Sequence, residues 1–134
     1  MCCLHNMRYS FYSKSFAIAM DIDSNGIIAG IFKTTDPNSD PQEFTGISVS
    51  TDTGEIHLAF GISWTLEGME EKKYETVFAG SIVRLELELD WAVLRDGQCV
   101  RVGNNRLVSG FGKVGDAENQ QQPPYPNFVV ATSN

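Results

Sequence analysis

The chain has 134 residues and a formal net charge of −7, which indicates a single acidic domain large enough to bury its own core. The acidic balance argues against nucleic acid and anionic membranes as partners, because phosphate binding requires clustered lysine and arginine side chains. No apolar run approaches the length that crosses a bilayer, and the N-terminal residues lack the apolar core of a secretory signal. We therefore expect either a cytoplasmic protein or a secreted one whose signal is absent from this chain.

The cysteine content predicts neither a disulfide framework nor a metal centre. Three cysteines, Cys2, Cys3 and Cys99, give an odd count, whereas disulfide-stabilised domains pair their cysteines. Cys2, Cys3 and His5 offer three metal ligands near one end of the chain, but a fourth ligand at metal-site spacing is missing.

Along the chain, period-two alternation of apolar and polar residues recurs, and a sustained helical period is absent. We predict a flexible segment over residues 1–7, a β-domain over 8–114 and a flexible Pro- and Gln-rich tail over 115–134. Tight turns separate the strands, so the pattern favours an antiparallel meander, either closed as a barrel or packed as a sandwich. Eight strands suit a closed barrel that holds one small ligand. The predicted strands are Arg8–Tyr12, Ser15–Asp21, Ile27–Thr34, Glu43–Ser50, Glu55–Leu66, Tyr74–Val83, Leu85–Arg95 and Arg106–Val114.

Two strands show which face should be buried. From Leu85 to Val93 the odd positions are apolar, while Glu86, Glu88 and Asp90 face the other way, which predicts one buried face and one solvent-exposed face. In Ile56–Trp64 the apolar face ends at Trp64, and the opposite face carries small or neutral side chains. That neutral face is suited to a subunit contact, although a strand that simply lies near a loop would look the same. Its residues are His57, Ala59, Gly61 and Ser63.

Other motifs favour structure over chemistry. The segment from Asp21 to Gly26 begins like a calcium-binding loop, but its twelfth position is Phe32 instead of a glutamate, so a hairpin turn explains it better. His57 lies on the face opposite Trp64, and Glu86 and Glu88 share the predicted solvent face. No nucleophile elbow, phosphate loop or HExxH pattern is present, so we expect no enzymatic activity.

Four segments together resemble the avidin/streptavidin family. They are Asn25–Thr34, Phe60–Trp64, Glu75–Gly80 and Asp90–Arg95, which follow the family's order with a Trp–TVF–Gly–Trp succession. The resemblance implies an eight-stranded up-and-down β-barrel that assembles as a homotetramer or homodimer. It also implies non-covalent binding of biotin, or a biotin-like molecule, at the open end of the barrel. Biotin would be a ligand, and no cofactor is expected.

The resemblance implies a set of ligand-binding residues. Ser15 falls near the position of the ligand's ureido oxygen, and Thr34 falls at a second hydroxyl position. Trp64, Phe78 and Trp91 correspond to aromatic walls, while Thr76 corresponds to the hydroxyl that faces the ring sulfur. The complete set is Ser15, Phe32, Thr34, Trp64, Tyr74, Thr76, Phe78 and Trp91.

The chain also departs from the family. Phe32 stands where a tyrosine contacts the ureido oxygen, and Tyr74 stands where a serine is usual. The first strand, Arg8–Tyr12, lacks the family's asparagine. Gly112 falls at the polar position of the last strand, and 104–107 lacks the aromatic residue that a neighbouring subunit would lend. Each hydrogen bond left unmade costs about 1–3 kcal/mol, so the departures imply weakened affinity.

Two other functions stay open at this point. The barrel could have lost its ligand and act as a structural or interaction protein through its outer faces and tail. It could also be a calycin-like carrier or inhibitor of another apolar ligand.

Overall fold

The computed structural model describes residues 7–34, 40–64 and 73–110, together with Pro124. Each strand pairs antiparallel with the next, and the first pairs with the last, so the sheet closes into a barrel. The predicted eight-stranded antiparallel up-and-down β-barrel is confirmed. Among these residues, no helix is long and apolar enough to span a membrane. The strands are β1 (Met7–Tyr12), β2 (Phe16–Ile22), β3 (Ile27–Thr34), β4 (Gln42–Ser50), β5 (Ile56–Trp64), β6 (Tyr74–Val83), β7 (Glu86–Arg95) and β8 (Gln98–Ser109).

Alternation along the strands separates the barrel interior from the solvent. In β7 the side chains of Leu87, Leu89, Trp91 and Val93 are buried, and those of the intervening acidic residues are exposed. A single hydrophobic cluster fills the interior and draws on all eight strands. Inward apolar side chains therefore hold the barrel together.

Turns rich in Asp, Thr and Gly close the hairpins at the lower end of the barrel, where β2 meets β3 and β4 meets β5. Gly26 and Gly54 take φ values of +86° and +91°, which a glycine adopts without strain. The Asp23 Oδ1 atom accepts hydrogen bonds from the backbone N–H groups of Asn25 and Ile27 at 2.8 and 2.9 Å. These bonds support the hairpin-turn interpretation of this acidic segment. In the described ranges, no group of three or more His, Cys, Asp or Glu residues could hold a metal ion.

The start of β7 differs from the sequence prediction. Leu85 was expected on the buried face, but its side chain is 71% exposed. Val83 ends β6 and Glu86 begins β7, so Leu85 lies in a two-residue turn. Arg84 takes a φ of 60° there, a backbone conformation that is uncommon for arginine and could not be predicted from the residue type.

The start of β8 also differs. We predicted a strand over Arg106–Val114 with a turn at 103–105, whereas β8 spans Gln98–Ser109. Asp96 and Gly97 both have positive φ values, 53° and 85°, as a two-residue hairpin turn requires. This turn reverses the chain at once, so the strand begins immediately after it. The predicted residues 111–114 lie outside the described residues.

Candidate functional site

The barrel has an upper end, which we define as the end where β1 joins β2, β3 joins β4, β5 joins β6 and β7 joins β8. The residues that the resemblance singled out lie in the half of the barrel nearest this end. Ser15 lies in the β1–β2 turn, and the others lie in the upper halves of β3, β5, β6 and β7. Ser15 and Tyr74 are half-buried. The other six are no more than 5% exposed: Phe32, Thr34, Trp64, Thr76, Phe78 and Trp91.

Aromatic rings make a continuous wall inside this half of the barrel. Phe32 stacks on Phe16 with centroids 4.8 Å apart. The same ring meets Trp64 edge-on at 5.6 Å and Phe78 at 5.6 Å. Phe78 in turn stacks on Phe60 at 4.5 Å. Rings in these arrangements support one another beyond their buried area, so the wall is a packed and preorganised surface.

A chain of hydrogen bonds runs from this wall to a carbonyl of the C-terminal segment. The Trp64 Nε1–H donates to the Thr76 Oγ1 atom at 2.8 Å. The Thr76 hydroxyl donates in turn to the backbone carbonyl oxygen of Pro124, also at 2.8 Å. Thr76 is fully buried, and Pro124 is less than 2% exposed. The upper part of the interior therefore contains a residue that comes from outside the barrel wall.

Trp91 is fixed in a different way from Trp64. Its Nε1–H donates to the Asn105 Oδ1 atom at 2.7 Å. The indole lies against the backbone of Gly103, where an added Cβ atom would come within 2.3 Å of the Trp91 Cζ2 atom. The Arg101 guanidinium carbon lies 5.7 Å from the ring centroid, within the range of a cation–π contact. Three residues of β8 therefore determine the orientation of this indole.

The β1–β2 turn forms the rim beside Phe16. Ser13 is buried, and its Oγ atom accepts hydrogen bonds from the backbone N–H groups of Ser15 and Phe16 at 3.3 Å. The same hydroxyl donates to the Phe16 carbonyl oxygen at 3.2 Å. The turn therefore holds Ser15 at the rim beside the buried Phe16, which pairs with Thr34 across the sheet.

The sequence analysis missed three residues of this region: Arg101, Asn105 and Pro124. Asn105 was placed in a turn because Gly-Asn-Asn is typical of turns. Pairing fixes its true place, since Leu89 lies opposite Asn105 and Trp91 lies opposite Gly103. Pro124 carried no signal, because a Pro-rich segment predicts no strand. Gly112, which the resemblance placed at a polar ligand position, lies outside the described residues.

The outer surface carries a band of apolar side chains across five neighbouring strands, β4 to β8. Ile47 lies opposite Ala59, and Ala59 lies opposite Ala79. One step higher, Ala92 lies between Val77 and Val102. Exposed fractions are 62% for Ile47, 49% for Val77 and 68% for Val102. We call these side chains the outer apolar band: Ile47, Ala59, Val77, Ala79, Ala92 and Val102.

One carboxylate borders the band directly: Asp90 lies opposite Ala79, and its Oδ1 atom accepts a hydrogen bond from the Asn104 side-chain amide at 2.7 Å. Other charges lie farther to the sides. On β1 and β2 the Arg8 Nε–H donates to an Asp21 carboxylate oxygen at 2.9 Å. This hydrogen bond lowers the pKa of Asp21 below its ordinary value. His57 lies on the outer face, as the sequence analysis predicted. Its Nε2 atom is 3.5 Å from a Glu55 carboxylate oxygen.

Comparison with known proteins finds no protein-family model and no curated protein that matches this chain. The resemblance to the avidin/streptavidin family therefore depends on the residues quoted above.

Proposed function

We propose that this barrel is a non-catalytic binding protein for a small, partly polar molecule, biotin or a biotin-like compound, at the upper end of its interior. The observation that carries the proposal is the hydrogen bond from the buried Thr76 hydroxyl to a carbonyl oxygen that the barrel wall does not supply. An apolar, aromatic interior with a few convergent polar groups is typical of small-molecule sites. A ligand carbonyl or ureido oxygen would accept the same hydrogen bond.

The groups around Thr76 favour binding of such a ligand. Because Trp64 donates to Thr76, the Thr76 hydroxyl is polarised and becomes a stronger donor. Trp64 and Phe32 supply flat apolar surface beside it. Arg101 faces the interior next to Trp91 and offers positive charge to a ligand with a carboxylate.

The same geometry argues for modest affinity. Phe32 brings no hydroxyl to the interior, so a ureido oxygen loses a partner that the family's tyrosine would provide. Each missing bond to a buried polar atom costs about 1–3 kcal/mol, which is one to two powers of ten in the dissociation constant.

Thermal unfolding with millimolar biotin tests this function. A ligand that binds only the native state stabilises it by RT ln(1 + [L]/Kd), so the melting temperature should rise with biotin concentration. Pentanoic acid, which shares the acid chain but lacks the ureido ring, is the control ligand. Trp91→Ala should abolish the rise, and Trp91→Phe should retain part of it. An unchanged melting curve for the natural chain would refute biotin binding.

We also propose that the protein assembles as a homo-oligomer through the outer apolar band. An exposed apolar surface is the usual core of a subunit interface, and the neighbouring Asp90 carboxylate already accepts a hydrogen bond from Asn104. The surrounding acidic surface, on a chain of net charge −7, disfavours association elsewhere because like charges repel.

Sedimentation velocity tests the assembly. The pair Val77→Lys and Val102→Lys places charge in the middle of the band and should produce monomers. Val83→Lys is the matched control, since Val83 is a 41% exposed valine on the outer face of the same strand as Val77 but lies outside the band. A natural chain that sediments as a monomer would contradict this assembly.

A further inference from the structure

Pro124 lies where a ligand of the proposed function would bind. Pro124 is less than 2% exposed, and its carbonyl oxygen accepts a hydrogen bond from the Thr76 hydroxyl at 2.8 Å. A threonine hydroxyl has one proton to donate. Since Thr76 gives that proton to Pro124, it cannot donate to a ligand at the same time.

The residue type suits this position. Most residues would bring a backbone N–H as well as a carbonyl into the barrel, and a buried N–H without an acceptor is costly. Proline brings the carbonyl alone. That carbonyl acceptor is matched by the Thr76 hydroxyl donor, and the pyrrolidine ring adds apolar surface to an aromatic interior. Pro124 can therefore be buried without leaving a backbone donor or acceptor of its own unpaired.

We propose that Pro124 is the resident occupant of the upper barrel interior, and that a small ligand must displace this short segment to bind. This inference rests on the proposed function for the identity of the competing ligand. Occupation by the chain itself reduces the apparent affinity in proportion to the fraction of molecules whose site is vacant. The segment therefore acts as a built-in competitor that any carbonyl-bearing ligand meets at Thr76.

The occupancy is measured on the natural chain without any ligand. A soluble gadolinium chelate enhances the relaxation of exposed protons, and the proline protons are resolved by carbon-detected NMR. Leu107, which is fully buried, and Leu85, which is 71% exposed and lies outside the outer apolar band, are internal references. We expect Pro124 to be as protected as Leu107. Enhancement at Pro124 equal to that at Leu85 would overturn the inference.

Displacement is measured next, by calorimetric titration with biotin. Pro124→Asp places a carboxylate that cannot stay buried without a partner, so the segment should leave the barrel. If the segment occupies about nine-tenths of the sites, its removal should tighten biotin binding about tenfold. Val83→Asp, which adds the same charge on the outer face of β6, should bind biotin as the natural chain does.

The outcomes separate this inference from the proposed function. Equal biotin affinity in Pro124→Asp and Val83→Asp would refute the competition. If neither protein binds biotin, the proposed function is refuted, and the relaxation of Pro124 in the natural chain alone decides whether the segment occupies the barrel.

Discussion

Replacing Thr76 by valine tests the hydrogen-bond chain on which the site depends. The valine side chain has nearly the same shape but no hydroxyl, so the Trp64 Nε1–H loses its acceptor and the Pro124 carbonyl loses its donor. Both groups are buried. Each stranded group costs about 1–3 kcal/mol, and the added methyl group recovers about 1 kcal/mol. We expect the free energy of unfolding to fall by about 3 kcal/mol.

Urea unfolding at a fixed protomer concentration measures this change, because oligomer stability depends on concentration. The denaturant slope should stay constant while the midpoint falls. Thr76→Ser, which keeps the hydroxyl, should recover most of the loss. Thr45→Val removes an exposed threonine hydroxyl from β4 and should change stability by less than about 0.5 kcal/mol. A Thr76→Val protein as stable as the natural chain would show that these two hydrogen bonds are not formed in solution.

Three further changes address the surroundings of Trp91 and the outer surface. Asn105→Leu strands the Trp91 indole N–H and should lower the free energy of unfolding by about 1–3 kcal/mol in the same assay. Gly103→Ala places a methyl group 2.3 Å from the Trp91 Cζ2 atom, so the indole must tilt and its near-ultraviolet circular dichroism should change; an unchanged spectrum would contradict the packing. Arg8→Ala should raise the lowered pKa of Asp21 towards its ordinary value, as followed by carboxyl NMR titration. In the natural chain, the stabilisation from this bond is present above the ordinary carboxyl pKa and is lost as the pH falls through the lowered pKa of Asp21.

Alternation was enough to predict most of the fold. The predicted bounds of β3, Ile27–Thr34, and β6, Tyr74–Val83, coincide with the observed strands. Buried and exposed side chains alternate along most of β3 and over residues 76–79 of β6, although some outward residues, such as Ile31 and Val77, are apolar. Local sequence is less informative at Leu85, where an apolar residue lies in a turn because Arg84 adopts a positive φ. Nothing in the residue types marks that conformation.

The contacts of the site are harder to predict than its location. Resemblance indicated Trp64 and Thr76, and the structure brings them within hydrogen-bond distance. Their third partner, Pro124, belongs to none of the eight strands of the barrel, so strand pairing does not predict its position. A hydrogen bond to a backbone carbonyl leaves no trace in the residue type, apart from the proline's missing N–H, which is informative only once burial is known.

The start of β8 was predicted wrongly because its side chains do not follow the usual burial pattern. Its inward side chains include Arg101 and Asn105, while Val100 and Val102 point outward and are 51% and 68% exposed. Burial of apolar side chains alone would favour the opposite orientation. A register shift between Val93 and Leu94 produces the observed orientation. Because of this shift, Trp91 pairs with Gly103 and not with Val102.

The inward polar side chains and the outward valines of β8 both lie where a function is proposed. Asn105 and Arg101 hold Trp91 inside the barrel, and Val102 belongs to the outer apolar band. Strands that break the local rule are expected where function imposes a competing demand. If β8 served stability alone, exchanging its polar and apolar faces would be favourable. The proposed ligand binding inside the barrel and the proposed association through its outer face would together account for the observed orientation.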